Sequence, residues 1–600
     1  MTLHPQTQLA PQAGSKTGAL QDWVRALETT APIVRNPERI LSSVVAELAE
    51  AYGDRPALVS RRENFTYREL AERANRYARW ALAQNLAKGD AVALTMPNRP
   101  EYAAVWLGIS SVGGVVSLIN TNLRSGALAH CINVAAPKHV IVDAELLDAF
   151  GSAAEQIEAR PQIWSHGGDA FNRIDHAIEN FPGAPLTASE RRDVTIADRA
   201  LHIYTSGTTG LPKAANVSHH RLMQWSFWFA GLMNTGPDDR MYDCLPMYHS
   251  VGGVVAIGAL LARGGSVVIR ERFSAGEFWD DIAKWDCTLF QYIGELCRYL
   301  TNSTDAPPHH RLRMACGNGL RADIWEKFQQ KLQIPRILEF YAATEANVSL
   351  YNVEGKVGAI GRVPPVLKHR SPLALVKFDY PKEEPLRDTD GFCMRCAVDE
   401  AGEALGRIEG GPAHGQTFEG YTDSAATEKK ILRNVFEPGD AWFRTGDLMR
   451  QDAGGFYYFV DRIGDTFRWK GENVSASEVA AALAEFPGVI EATVYGVPLP
   501  GADGAAGMAA LVTDRPLDFT ALRARLAQRL PAYAQPLFFR IQDRIAITGT
   551  FKHQKADLVR EGFDPAATHE AIYFGHPAAD GYVPLDTTLF ERIQTGAIRL

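Results

Sequence analysis

Residues 201–221, LHIYTSGTTGLPKAANVSHHR, constrain this 600-residue chain more than any other stretch. Leu201, His202, Ile203 and Tyr204 read as the end of a buried strand, and Thr205, Ser206, Gly207, Thr208, Thr209 and Gly210 follow directly, with Pro212 and Lys213 behind. Glycines allow positive φ and close approach, hydroxyls add donors, and the lysine adds a point charge. A strand that runs into such a loop can turn backbone amides toward a polyphosphate. Two better-known loops do not fit. A Walker A loop, counted from Gly207, would need glycine where Pro212 stands and a hydroxyl residue where Ala214 follows the lysine. A nucleophile elbow would need glycines in place of Tyr204 and Thr208 around Ser206.

The rest of the composition narrows the class. A hydrophobic share of 46% with 22% charged residues is that of a globular enzyme, and the length allows several cores. Net charge −8 argues against a nucleic-acid binder whose affinity rests on overall charge. Seven scattered cysteines suit a reducing compartment, and the one C-x-x-C, Cys393 and Cys396, has no second pair at zinc spacing and reads as structural. Residues 1–20 lack a basic start followed by an apolar core, so no signal peptide is evident. Residues 103–120 and 244–262 are uncharged and near bilayer length, but their Gly, Ser, Pro246 and His249 fit buried core elements better.

Apolar periodicity then predicts a chain of alternating elements. Residues 1–36 form a polar lead-in with one amphipathic piece near Trp23. Helices are expected over 37–52, from Thr66 through Trp80 and over 100–112, and strands over 57–59, 90–96, 115–119 and 140–142. This order implies an α/β fold: a large multi-subdomain N-terminal domain, 37–463, with mixed or parallel sheets flanked by helices. Ligands in such sheets gather at the carboxyl ends of strands, where the loop after Tyr204 lies. A charged, glycine-containing segment, 461–473, marks the boundary to a small α+β C-terminal domain, 464–600. That domain opens with Ser475 and Glu478 at capping-box spacing.

Further motifs line up behind the first loop. DCLPMYHSVGG, 243–253, brings His249 toward the ligand crevice, one helix after the loop. Gly317, Asn318, Gly319 and Leu320 form a tight turn before a helix over 325–332. In FYAATE, Tyr341 beside Ala342 can stack a purine, and Glu345 is a hard oxygen ligand suited to Mg²⁺ held with phosphates. Asp447, read behind a glycine turn, can accept from both ribose hydroxyls of a nucleotide. Thr548-Gly549-Thr550-Phe551-Lys552 puts a lysine on a short loop near the end of the small domain.

Together these motifs resemble the adenylate-forming superfamily over about residues 41–600. FYAATEAN, DRIGDTFRWKGENV, TGTFKHQK and the tail IYFGHPAADGYVPLD are similar to its fatty acid transport protein / very-long-chain acyl-CoA synthetase branch. The resemblance implies Mg-ATP, coenzyme A and a long-chain fatty acid as ligands. Thr205–Gly210 and Lys213 would hold the outer phosphates, Gly317–Leu320, Tyr341 and Ala342 would flank adenine, and Thr344 would meet the α-phosphate. Asp447 and Arg462 would take the ribose, and Glu345 the Mg²⁺. Lys552, Thr208 and Glu345 would be the catalytic groups of adenylation, while Lys470 and Gly471 would serve the thiol step. His249 would line the acyl site. Where many relatives carry Asp or Lys as the domain hinge, this chain has Gly464.

The activity so implied is a long- or very-long-chain fatty acid–CoA ligase, cytoplasmic or peripheral on the inner face of a membrane, with no nucleic-acid partner. Two alternatives stand beside it: a CoA ligase for a bulky carboxylate of bile-acid or steroid-side-chain type, and a fatty-acid uptake or carrier protein with little catalysis.

Overall fold

The computed structural model describes residues 16–598 except 159, 206–211, 304–308, 346–347, 371–372, 380–381, 409–417, 464, 470–471, 501–503 and 548–552. The chain forms two compact units. The first takes residues up to 372 with 406–432 and 441–443, and the second takes 373–405, 433–440 and 444–600.

Two sheets organise the first unit. One runs in the order Asn172–Arg173, Gln162–His166, His139–Asp143, Ala91–Thr95, Val115–Leu118, Arg199–Thr205, Lys213–Ser218. Its strands pair in parallel except at the last hairpin, which returns antiparallel from Arg199–Thr205 to Lys213–Ser218. In the second sheet Arg336–Ala342, Met314–Asn318, Leu289–Ile293, Arg240–Asp243, Ser266–Ile269 and Pro56–Val59 are neighbours in that order, all parallel. Antiparallel strands extend it on both sides in this unit: Ser349–Asn352 and then Gly361–Arg362 beyond Arg336–Ala342, and Asn64–Thr66 beside Pro56–Val59. Strands such as Ala91–Thr95 and Val115–Leu118 are buried throughout, which is why they read as unbroken apolar runs rather than alternating ones.

Helix starts follow local chemistry. Thr66 accepts from the Glu69 amide while the Glu69 carboxylate returns to the Thr66 amide, a reciprocal cap that opens Tyr67–Ala83. The helix read from residue 37 begins instead at Leu41, after an extended Ile40. The two uncharged stretches are core. Residues 103–120 hold the end of helix Pro100–Ser111 and strand Val115–Leu118, and 244–262 hold a π-helical turn, Val251–Ala256, and helix Ile257–Leu261, nearly all buried. Among the described residues, no helix is long and apolar enough to cross a membrane.

The amphipathic piece near Trp23 is helix Lys16–Thr30, and it docks on helix His219–Met233. Gly231 permits the approach, since a Cβ there would lie 2.5 Å from the Cα of Ala26. Arg25 Nε donates to the Gly231 carbonyl at 2.9 Å, Thr29 to the Phe227 carbonyl at 3.0 Å, and the rings of Trp23 and Trp228 meet edge to face. Phe227, Trp228 and Gly231 of the aromatic-rich stretch 225–233 therefore pack against this helix, while Phe229 packs on Phe340 and Tyr351.

The second unit places Leu373–Val376, residues 402–405, residues 444–451 and Phe456–Arg462 side by side. A separate five-stranded sheet follows in the order Val489–Pro498, Ala505–Thr513, Phe538–Ile541, Ala571–Phe574, Val583–Pro584. Helices Ala476–Ala484 and Phe519–Arg529 bury Leu483, Leu522 and Leu526 in a core with Val494, Met508 and Phe538. Ser475 caps the first helix by accepting from the Glu478 amide. The seven cysteines are free thiols, and Cys393 and Cys396 sit in backbone pairings to Val435 and Leu375.

Candidate functional site

The base of the leading loop is fixed by pairing. Thr205 and Lys213 are partners across the last antiparallel hairpin, so the chain between them leaves and re-enters at one point of the sheet end. Ser206, Gly207, Thr208, Thr209 and Gly210 lie outside the described residues. The edge strand Lys213–Ser218 gains a further neighbour: the Asn216 amide donates to the Gly420 carbonyl at 3.0 Å, and the Thr422 amide to the Ala214 carbonyl at 2.9 Å. This backbone pairing delivers Tyr421.

Tyr421 joins three of the expected residues. Its hydroxyl donates to Glu345 Oε1 at 2.9 Å, the Thr205 side chain hydrogen-bonds it, and Lys213 Nζ stands 5.5 Å from its ring centroid. Burial first, and the Glu345 charge second, hold the phenol well above its ordinary range, so it remains a donor to the carboxylate. Sequence reading missed Tyr421, because only a long-range backbone pairing brings it here.

Thr344 is held from two sides. Arg221 Nη1 donates to its carbonyl at 2.6 Å, and its hydroxyl lies 3.0 Å from Ser250 Oγ. Arg221 is buried in the first turn of helix His219–Met233, and Glu419 accepts from the Ser218 amide and hydroxyl that cap that helix. Glu419 also stands 3.5 Å from Arg221 Nε. His249, half-buried, immediately precedes Ser250 and packs on Tyr248 with ring centroids 4.7 Å apart. It thus neighbours the Thr344 contact in sequence.

Gly317 and Asn318 belong to the end of strand Met314–Asn318, so the turn is narrower than the sequence suggested and centres on Gly319, at φ +83°. The amides of Gly319 and Leu320 both donate to Glu339 Oε1, the second at 3.2 Å. Glu339 Oε2 accepts from the Tyr292 hydroxyl. Burial raises the Glu339 carboxyl to about 8, against the three donors that favour its charge. Tyr341 and Ala342 end strand Arg336–Ala342, with Tyr341 half-buried and Ala342 exposed. The sequence carried a signal for Glu339 that went unread: a carboxylate inside the apolar strand segment Ile337-Leu338-Glu339-Phe340.

In the second unit, Asp447 and Arg462 are register partners on adjacent strands, with Nε–Oδ1 at 3.1 Å. Asp447 stands inside strand Ala441–Gln451, not behind a turn, because Gly446 takes φ +77° without ending the strand. Beside them Asp461 is buried, accepts from Ser475 Oγ at 2.9 Å, and has its carboxyl pushed up chiefly by that burial. Lys552, Lys470, Gly471 and Gly464 lie outside the described residues. Close to Gly464 and Lys552 in sequence, Asp465 and Lys555 pair at 3.1 Å.

Comparison with known proteins gives the family and the fold. The family described as AMP-binding enzyme matches residues 45–370, and AMP-binding enzyme C-terminal domain matches 478–552. Long-chain fatty acid transport protein 1 of Mus musculus is 40% identical over 548 residues, covering 89% of this chain and 84% of that protein. Among solved structures, ATP-bound MatB from Rhodopseudomonas palustris aligns with TM-score 0.71 and 25% identity, over 86% of this chain and 98% of that one. The anthranilate CoA ligase AuaEII, solved with anthranoyl-AMP, shares the fold at TM-score 0.74 and 19% identity, over 87% and 96% of the two chains. The chain belongs to the AMP-binding enzyme family, with the adenylate-forming acyl-CoA ligase fold, in the branch of the long-chain fatty acid transport proteins.

Proposed function

We propose that the protein is an ATP-dependent, AMP-forming ligase that joins long- or very-long-chain fatty acids to coenzyme A. The observation that supports it most is Tyr421, which brings Thr205, Lys213 and Glu345 to one edge of the sheet, the groups a triphosphate needs around it. Among the described residues, no group of three or more His, Cys, Asp or Glu could hold a metal alone. A single oriented carboxylate fits Mg²⁺ that arrives with phosphates and keeps other oxygen ligands, and there the ion would neutralise phosphate charge.

In the first step the fatty carboxylate attacks the α-phosphorus of ATP and pyrophosphate leaves, giving acyl-adenylate. Both reactants are anions, so charge compensation by Lys213 and Lys552 is this chain's main contribution. Thr205–Gly210 would hold the outer phosphates, Thr208 among them, and Thr344 would meet the α-phosphate. Gly317–Leu320 with Tyr341 and Ala342 would flank adenine, and Asp447 with Arg462 would take the ribose. In the second step the CoA thiolate attacks the acyl carbon and AMP leaves. Lys470 and Gly471 would serve this step, Gly464 would be the pivot between the two, and His249 would line the acyl site. Residues 37–463 and 464–600 would act as the two catalytic domains.

The names of the relatives, long-chain fatty acid transport proteins, favour a second reading, fatty-acid uptake with little chemistry. One experiment separates the two: purified protein is assayed for AMP, pyrophosphate and thioester with acetate, palmitate and a bulky steroid-side-chain acid. Thioester from palmitate supports the ligase, and thioester from the bulky acid alone moves the substrate class. No AMP from any acid supports uptake.

A further inference from the structure

Three parallel neighbours, Leu289–Ile293, Met314–Asn318 and Arg336–Ala342, bring Tyr292, Gly317 and Glu339 into one register row. Gly317 is glycine for a packing reason. A Cβ there would lie 2.5 Å from the Tyr292 ring and 2.2 Å from the Tyr292 carbonyl oxygen, so the ring occupies the place of a side chain. From above Gly317 the Tyr292 hydroxyl reaches Glu339 Oε2, while Oε1 takes the amides of Gly319 and Leu320. Tyr292 is 0% and Glu339 1% exposed. The turn is held on its other side too, since a Cβ on Gly294 would fall 1.7 Å from the Gly319 carbonyl.

A carboxyl sealed from water is costly unless its oxygens are matched by donors. Here both are matched, and two of the three donors belong to the backbone of a single turn. Glu339 and Tyr341 are two apart on one strand and so share a face of the sheet.

We propose that Glu339, clasped by Tyr292 across Gly317, is the positioning residue for the nucleotide base: it sets the Gly319–Leu320 backbone as one wall of a slot whose other wall is Tyr341. Glu339 acts through the turn and touches no reacting atom. The inference rests on the reading that this turn flanks adenine.

The test uses the full-length chain with Glu339→Leu, Glu339→Gln and Tyr292→Phe. AMP binding is measured by calorimetry, KM for ATP, CTP, CoA and fatty acid by kinetics, and Tm separately. Glu339→Leu leaves two amides unpaired and should weaken AMP binding by about tenfold or more. Its KM for ATP should rise by a similar factor, discrimination against CTP should fall, and KM for CoA and fatty acid should stay unchanged. Glu339→Gln keeps an acceptor toward the turn and should recover most of the loss, with Tyr292→Phe intermediate. A role in stability alone would lower Tm and leave the ATP-to-CTP ratio intact, and that result overturns the proposal. If Glu339→Leu does not fold, wild-type AMP affinity in Tyr292→Phe overturns it equally. Wild-type protein that binds neither AMP nor ATP would instead overturn the nucleotide reading of the site, and the inference with it.

Discussion

The Tyr421 hydroxyl donates to Glu345 at 2.9 Å while the Tyr421 ring faces Lys213, so one side chain spaces the cation from the carboxylate. The two charges could otherwise collapse into an ion pair and leave nothing for a phosphate or its metal. Tyr421→Phe keeps the ring and removes the donor. A hydrogen bond to a charged group contributes about 1.5–3 kcal/mol, so the Mg²⁺ concentration giving half-maximal pyrophosphate release should rise roughly tenfold or more. An unchanged Mg²⁺ titration would mean that the backbone alone orients Glu345.

Arg221 ties Thr344 to helix His219–Met233, which follows strand Lys213–Ser218. Replacing it by Met leaves Glu419 without its nearby cation and the Thr344 carbonyl without its donor. Loss of one partner from a buried ion pair costs about 3–5 kcal/mol. Glu419 keeps its bonds to Ser218, so the lower end of that range applies. Arg221→Met should lower Tm and slow adenylation, and Arg221→Lys should restore stability better than rate, because a lysine cannot reproduce the planar fork. Equal recovery of both would show that only the charge matters.

Glu339 should leave a signature in the pH dependence of stability. Its carboxyl titrates near 4.5 when unfolded and at about 8 when buried in the fold. Between those values the folded state holds the extra proton, so this group's contribution falls as pH rises and levels off above about 8. The groups facing it, Tyr292, Cys297 and Cys316, are themselves raised by burial and stay neutral through this window. Urea unfolding of wild type and Glu339→Gln should therefore differ by an amount that slopes downward with pH, at most about 1.4 kcal/mol per unit. A flat difference would mean that the carboxyl is ionised throughout.

What sequence showed and what it hid divides along a physical line. The strand before Thr205, the helix after Thr66 and the capped helix after Ser475 all follow from local patterns of burial and capping. Tyr421, Glu419, Tyr292 and Ser250 act through partners dozens of residues away or more, and nothing local marks them. Asp447 shows the reverse error: a glycine beside it suggested a turn, but inter-strand pairing carried the strand straight through Gly446.

Chain length offers a separate check on the substrate class. Each buried methylene contributes ~0.8 kcal/mol, so the difference between acetate and palmitate has an upper bound of roughly 11 kcal/mol. A ligase built for long chains should show kcat/KM rising steeply over that series. Equal activity with acetate would reject the long-chain assignment while leaving the ligase chemistry standing.

The two steps of the proposed reaction should come apart under mutation. Lys552 would compensate charge as carboxylate meets α-phosphate, a demand that ends once acyl-adenylate exists. Loss of one such donor costs about 10²–10³ in rate. Lys552→Ala should therefore cripple acyl-adenylate formation from fatty acid and ATP. Supplied with preformed acyl-adenylate and CoA, the same variant should form thioester at near wild-type speed. Lys470→Ala should show the opposite imbalance if its loop serves the thiol step. Both half-reactions are assayed on each variant after thermal unfolding shows that it is folded. Should Lys552→Ala slow both steps equally, the lysine is structural or the two steps share one arrangement of the chain, and the division of labour between Lys552 and Lys470 falls.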